Sequence, residues 1–322
     1  MDCSREVYVR LMDIMASRRR EALRPSTRRL QEAHWRAYSL FIERFTLQSH
    51  ETEADTVCIF LETLAQRDLQ PSTVRSYLSS IRSIAKRAGL KTEDLYSIGV
   101  SDWISGYEKT FVRDYKHLPV ISIIDLNKII IIAQDSELQL FIIALATAAF
   151  FTLLRASNLM PKETFDKTRD LQRRHVTFDN DQMIIQLPWT KTKQTRSLTT
   201  ITVVATNSPV CPVTAMRNFL GAYPAPPDAP LFTMNDTYYS AKEGRVILKQ
   251  IHREAGIDPC ARFHAYRRGG ARFYFENNMP LEAIKRMGTW RSDAILLYLR
   301  DSVPPTDDLI NTIQHARAKG RI

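Results

Sequence analysis

Residues 138–154 form a run of seventeen mostly apolar side chains, Leu138 to Leu154. A helix that is apolar on every side has no face to give to water, so it must sit at the centre of a large core or in a bilayer. The run is short for a span, no second one accompanies it, and it carries Gln139, Thr147 and Thr152. The sequence therefore predicts a buried central helix and no membrane partner. At 322 residues the chain is long enough for one large domain or two ordinary ones.

The formal charge of +10 favours a polyanionic partner, because a basic surface gains affinity by displacing counterions from phosphates. The four cysteines, Cys3, Cys58, Cys211 and Cys260, are scattered, with no Cys-x-x-Cys and no histidine at ligand spacing. That argues against a structural zinc site and for a reducing, intracellular compartment. The opening MDCSREVYVR has no apolar signal core, and no internal repeat is visible.

Along the chain, Ser4 to about Leu23 reads as a helix. Pro25-Ser26-Thr27 then opens a second helix carrying Leu30, Trp35, Tyr38, Phe41 and Phe45. Thr52 to about Arg67 is a third. A fourth starts at Pro71-Ser72-Thr73 and runs to about Ala88, where Gly89 closes it. On this fourth helix Val74, Leu78, Ile81 and Ala85 make an apolar stripe beside a basic one of Arg75, Arg82 and Lys86, with Ser79. Such a stripe is ordinarily a solvated face.

Between about Tyr107 and Ile121 the basic Lys109, Arg113, Lys116 and His117 lead to Pro119, as in an interdomain linker. From Ile124 the chain reads as helical through the buried run to Arg155. Three short strands follow: from His175, from Met183 to Trp189, and from Leu198 to Val204. Helices are predicted over Pro212–Leu220, Glu243–Gly256, Phe263 to about Asn277 and Pro280–Met287, the last capped by Gly288. The fold class is thus mainly α, with one small antiparallel sheet.

Near the C-terminus stand Phe263-His264-Ala265-Tyr266-Arg267-Arg268-Gly269-Gly270, then Gly288-Thr289-Trp290, then Tyr298, eight positions after the tryptophan. Upstream are Leu154-Arg155-Ala156-Ser157-Asn158 and Trp189-Thr190-Lys191-Thr192-Lys193. Breaking a phosphodiester calls for a nucleophile held in line, cations on the five-coordinate phosphorus, and an acid for the leaving oxygen. Guanidinium groups suit the second task, since they stay charged and grip two oxygens at once. His264 and Arg267 lie one helical turn apart and so share a face, and Gly269-Gly270 permits close approach of another backbone or of DNA. Each residue also has an ordinary reading. A lone Arg155 is a solvated cap or a salt bridge, a hairpin lysine is solvated, and Trp290 is core.

Taken together, Arg155, Lys191, His264, Arg267, Trp290 and Tyr298, in that chain order, resemble the active positions of the tyrosine recombinase (phage integrase) family. The forms LLRASNL, WTKTKQ and HAYRRGGA most resemble eukaryotic Crypton-type recombinases. The resemblance runs from about Ser26 to Tyr298. It implies a helical DNA core-binding domain over 1–112, a linker over 113–120, and an α-rich catalytic domain over 121–322 ending in an exchange helix.

It further implies Tyr298 as nucleophile, Arg155 and Arg267 as activating arginines, and His264 as phosphate contact or general base. Trp290 would donate its indole N–H, and Lys191 would act as acid, with Lys193 as the alternative. Arg75, Arg82, Lys86, Lys193 and Arg268 would contact DNA. No metal and no cofactor is implied. The partners are double-stranded DNA and further copies of the chain, forming a DNA-bound tetramer through the tail at 306–316; the location is nuclear if the source is eukaryotic. Two departures stand out. Asn158 occupies a position that is often a carboxylate, and many bacterial members set the tyrosine one residue farther on. Two rivals remain: a type IB topoisomerase-like enzyme, and a catalytically silent DNA-binding protein of transposon origin.

Overall fold

The structure, a computed structural model, describes residues 23–44, 52–112, 118–189, 198–290 and 292–299, with Ile14, Met15 and Arg18. The chain divides into two compact units, Met1–Tyr115 and Lys116–Ile322. Most of the first predicted helix and of the predicted linker, the lysine hairpin and the tail lie outside the described residues.

The first unit is helical: α1 (Pro25–Arg44), α2 (Glu53–Ala65), α3 (Pro71–Ala88) and α4 (Ile98–Thr110). A capping box between Thr52 and Asp55 opens α2. Gly89, at φ 71°, ends α3 in the left-handed conformation that glycine adopts without penalty. The apolar stripe of α3 is buried throughout and meets Tyr38, Phe60, Leu61 and Leu64 in one core. His34 stacks on Tyr77 with ring centroids 3.8 Å apart and pairs through Nδ1 with Ser80 Oγ at 2.9 Å.

The sequence reading missed α4. Ser97 caps it, Val100 and Ile104 bury one face, and Tyr107 donates to the Leu69 carbonyl at 2.6 Å. Gly99 and Gly106 in its interior weaken the local helix signal, so tertiary burial decides.

The second unit is built round the apolar run. Its helix, α6 (Gln139–Phe151), is buried at ten of thirteen positions. Thr147 and Thr152 satisfy their hydroxyls on the Ile143 and Ala148 carbonyls at 2.7 and 2.6 Å, which is how hydroxyls can sit in an apolar core. Among the described residues no helix is long and apolar enough to cross a membrane. Ahead of it lies α5 (Ile123–Ala133), opened by a Ser122–Asp125 capping box. The region read as helical from Ile124 to Arg155 is thus two helices, and the second stops four residues short of Arg155. Leu153 takes φ +56°, and Arg155 precedes the one-turn α7 (Ala156–Leu159) with an extended backbone.

Three antiparallel strands, β1 (Val176–Asp179), β2 (Gln182–Leu187) and β3 (Thr199–Val204), form the sheet in that order. Met183 pairs with Val203 and Ile185 with Ile201, and these side chains line the buried face. Next come α8 (Pro212–Ala222), a two-residue hairpin β4 (Thr233–Met234) and β5 (Thr237–Tyr238), α9 (Ala241–Glu254), α10 (His264–Glu276), α11 (Leu281–Met287) and α12 (Leu296–Leu299). The small hairpin was not predicted. Its turn residues, Asn235 and Asp236, both have positive φ. Helix α9 starts two residues earlier than predicted because Glu243 is the third residue of a capping box with Ser240.

Candidate active site

Helix α10 can approach the core only because Gly269 and Gly270 lack side chains. A Cβ on Gly269 would lie 1.8 Å from the Ile121 carbonyl oxygen, and one on Gly270 2.0 Å from that of Phe150. The close approach is therefore to the protein's own backbone. It sets the first turn of α10, with His264 and Arg267, beside the chain leaving α6.

There Arg267 is fully buried. One terminal nitrogen donates to the Leu153 carbonyl, and the other donates to the Gly288 carbonyl at 2.6 Å. Its guanidinium carbon lies 3.8 Å from the centroid of the Trp290 ring, while Nε–H has no partner. A buried N–H without an acceptor is costly, and an anionic oxygen would satisfy it. Burial first, and then the nearby Arg155 charge, lower the Arg267 pKa to about 9.

Tyr298, on α12, completes the group. Its hydroxyl lies 2.9 Å from Nε2 of His264, with the rings edge to face at 5.8 Å. Its ring also lies 5.8 Å from that of Trp290. Burial, followed by the charges of Arg267, Arg268 and Arg155, lowers the His264 pKa to about 4. At neutral pH the imidazole is therefore uncharged, and in the tautomer with its proton on Nδ1 its Nε2 accepts a hydrogen bond from the Tyr298 hydroxyl. Arg155, partly exposed, shares this field: its charge acts on both His264 and Arg267.

Thus Arg155, His264, Arg267, Trp290 and Tyr298 converge, whereas Lys191 and Lys193 lie outside the described residues. Three other tyrosines of this unit have structural roles. Tyr266 is buried and pairs with His252 at 2.8 Å, Tyr274 donates to the Phe151 carbonyl at 2.8 Å, and Tyr239 packs its ring, tilted, 4.6 Å from that of Phe141.

Two sequence readings need correction. Arg268, predicted to face DNA or solvent, is buried and donates from Nε to the Pro119 carbonyl at 2.8 Å. It anchors the segment entering the second unit. Arg82, predicted to lie on an exposed basic stripe, donates to the Leu95 carbonyl at 2.9 and 2.7 Å and stacks on Tyr96. Arg75 pairs with Glu108 at 2.6 Å, and Lys86 is exposed. Gly288 does cap α11, as read, at φ −79°, and the left-handed residue is Thr289 after it, at φ 57°. Glycine is needed at 288 because a Cβ there would lie 1.8 Å from the Trp290 ring.

The sequence reading missed the carbonyls of Leu153 and Gly288 as the holders of Arg267. Backbone acceptors leave no composition signal. It also missed a groove of about 650 Å³ between α1 and α3, lined by Arg28, Arg36 and Arg87.

No protein-family profile and no curated protein matches the sequence. Solved structures do match. The Tn1549 transposon integrase in complex with transposon right end DNA aligns over 95% of this chain and 98% of its own, at TM-score 0.62 and 15% identity. The XerH site-specific recombinase, in a post-cleavage complex with a palindromic difH substrate, aligns over 81% and 72%, at 0.57 and 13%. A lambda integrase dimer bound to a COC′ core site aligns over 90% and 75%, at 0.56 and 14%. The chain therefore has the tyrosine recombinase fold, across both units.

Proposed function

We propose that the chain is a DNA strand transferase that cuts and rejoins duplex DNA through Tyr298. The observation that carries this reading is the Tyr298 hydroxyl at 2.9 Å from a neutral, buried His264, within a site that also holds Arg267 and Arg155. The tyrosyl oxygen attacks the scissile phosphorus and passes its proton towards His264. The bond from phosphorus to the 5′ oxygen breaks, Lys191 donates a proton to that oxygen, and a 3′-phosphotyrosine and a free 5′-hydroxyl result. The 5′-hydroxyl of another strand then attacks the same phosphorus and restores Tyr298. One ester replaces another at each step, so ATP is not needed.

Arg155 and the Nε edge of Arg267 would hold the non-bridging oxygens, where charge accumulates in the transition state. The indole of Trp290 would hold Arg267 in place and offer one donor. The first unit would lie on DNA through Arg75 and Lys86 together with the arginine groove. Site specificity, integration of a mobile element and a tetramer joined through tails belong to the same reading, supported by the DNA-bound relatives in fold.

The test is a duplex nicked beside its site, so that the released 5′ fragment diffuses away and the covalent complex accumulates. The wild-type chain should become covalently linked to DNA. Tyr298→Phe should bind equally well and form no adduct. Binding without an adduct in the wild type would make the chain a silent DNA-binding protein. Relaxation of supercoiled DNA without paired sites would make it topoisomerase-like.

A further inference from the structure

Two residues near Arg267 have backbones that their side chains disfavour. Leu153 has φ +56° and Thr289 has φ 57°, the left-handed region where glycine is at home and a β-branched residue is an outlier. They lie on separate segments, at the end of α6 and the end of α11, yet both bear on one guanidinium. Arg267 donates to the carbonyl of Leu153 itself and to that of Gly288, whose peptide plane is shared with Thr289.

The turn at Thr289 is a Schellman cap. The Trp290 amide donates to the Lys285 carbonyl at 2.9 Å, and the Thr289 amide to that of Arg286 at 3.0 Å. Such caps ordinarily put glycine where Thr289 stands. Here the glycine is one place earlier, under the Trp290 ring, and the strained position carries threonine. The side chain of Leu153 is buried with Ile284, Ile295 and Leu299, the last being the neighbour of Tyr298. Strain kept at two points that meet on one catalytic group is the pattern of a preorganised site.

We infer that Leu153 and Thr289 are positioning residues: their left-handed backbones aim the Leu153 and Gly288 carbonyls at Arg267 and lock its guanidinium against Trp290, so that Nε–H, buried in the DNA-free chain, is the donor left for a phosphate oxygen once DNA is bound. The phosphate rests on the strand-transfer reading, whereas the clamp does not.

The experiment uses the full chain with Thr289→Gly, Thr289→Pro and Gly288→Ala. Glycine can keep the positive φ. Proline forbids it and removes the amide that binds Arg286. Alanine at 288 forces the Trp290 ring away. The first readout needs no activity: an arginine-selective dicarbonyl reagent, followed by mass spectrometry. Arg267 should stay unmodified in the wild type and Thr289→Gly, and become modified in Thr289→Pro and Gly288→Ala.

The second readout is adduct formation on a nicked duplex selected by the full chain from a random-sequence pool. Thr289→Gly should match the wild type. The other two should bind that duplex normally but react about a hundredfold more slowly, as misplacement of a catalytic group does. On the same duplex with a scissile methylphosphonate, which lacks the charge Arg267 meets, the defect should largely vanish.

Folding is checked by circular dichroism; should Thr289→Pro not fold, Gly288→Ala carries both readouts. Protection of Arg267 in the folded variants, or an undiminished rate, would overturn the clamp. A wild-type chain that forms no adduct would instead overturn the strand-transfer reading, and the labelling would still decide the clamp.

Discussion

The Tyr298 hydroxyl and Nε2 of His264 are 2.9 Å apart, although thirty-four residues separate them in the chain. Three arginines surround that pair, and His264 remains uncharged among them because burial and those cations disfavour a further positive charge. In the proposed reaction the nucleophile and its acceptor would thus already be paired before DNA arrives.

That pairing sets a pH dependence. In the folded DNA-free chain His264 titrates near 4, against 6.5 for an unperturbed histidine. The unfolded chain then binds more protons between those values, so stability is fully present above pH 6.5 and is lost as pH falls towards 4. The loss is about 3 kcal/mol. Urea unfolding at pH 7 and pH 4.5 should show it in the wild type and show much less in His264→Gln. Equal pH sensitivity in the two would place the titrating group elsewhere.

Close packing of α10 makes a second prediction. Gly269→Ala would drive a methyl group into the Ile121 carbonyl, and it should destabilise the chain by about 2–4 kcal/mol. Gly221→Ala is the control, since a Cβ there meets nothing within 4 Å in a helix. It should be neutral or stabilising by up to about 1 kcal/mol. Thermal unfolding of both variants measures the contrast.

The basic face of α3 divides by what each side chain binds. Lys86→Ala should leave stability unchanged and lower the slope of log affinity against log salt by about one. Arg82→Ala should instead lower the thermal midpoint, because Arg82 ties α3 to the Leu95 carbonyl. Should Arg82→Ala act only on the salt slope, its place would be on DNA instead.

How far the sequence was legible follows from what each residue answers to. The apolar run declares its burial by unbroken apolar composition and the stripe of Val74, Leu78, Ile81 and Ala85 by periodicity; both signals are local, and both segments lie in a core as those signals require. The spacing of His264, Arg267, Trp290 and Tyr298 was legible because one helical turn and one sharp cap bring them together. Arg82 and Arg268 were misread because a charged side chain seldom gives up water, and nothing local shows that Leu95 or Pro119 offers a carbonyl instead. The left-handed backbones of Leu153 and Thr289 run against local preference and are set only by their tertiary surroundings. Helix α4 fell between, with a weak local signal rescued by burial.

The leaving-group acid is separable by chemistry. Lys191→Ala should slow cleavage of ordinary DNA sharply, while a 5′-phosphorothiolate, whose sulfur departs without a proton, should restore much of the rate. The same rescue in Lys193→Ala but not in Lys191→Ala would transfer the role to Lys193.

The tail at 306–316 is tested by assembly. Pro304-Pro305 would stop a helix from running on from Tyr298, and Leu309, Ile310 and Ile313 would share one face of a short helix. So short a helix is marginal in water and needs an apolar surface to cover. If that surface belongs to a neighbour, the chain should be monomeric alone and form a higher oligomer when a duplex carries two sites. Truncation after Pro305 would then leave binding to one site intact and weaken the paired complex, as read by sedimentation. A truncated chain that still pairs sites and recombines them normally would reduce the tail to a cap on its own domain.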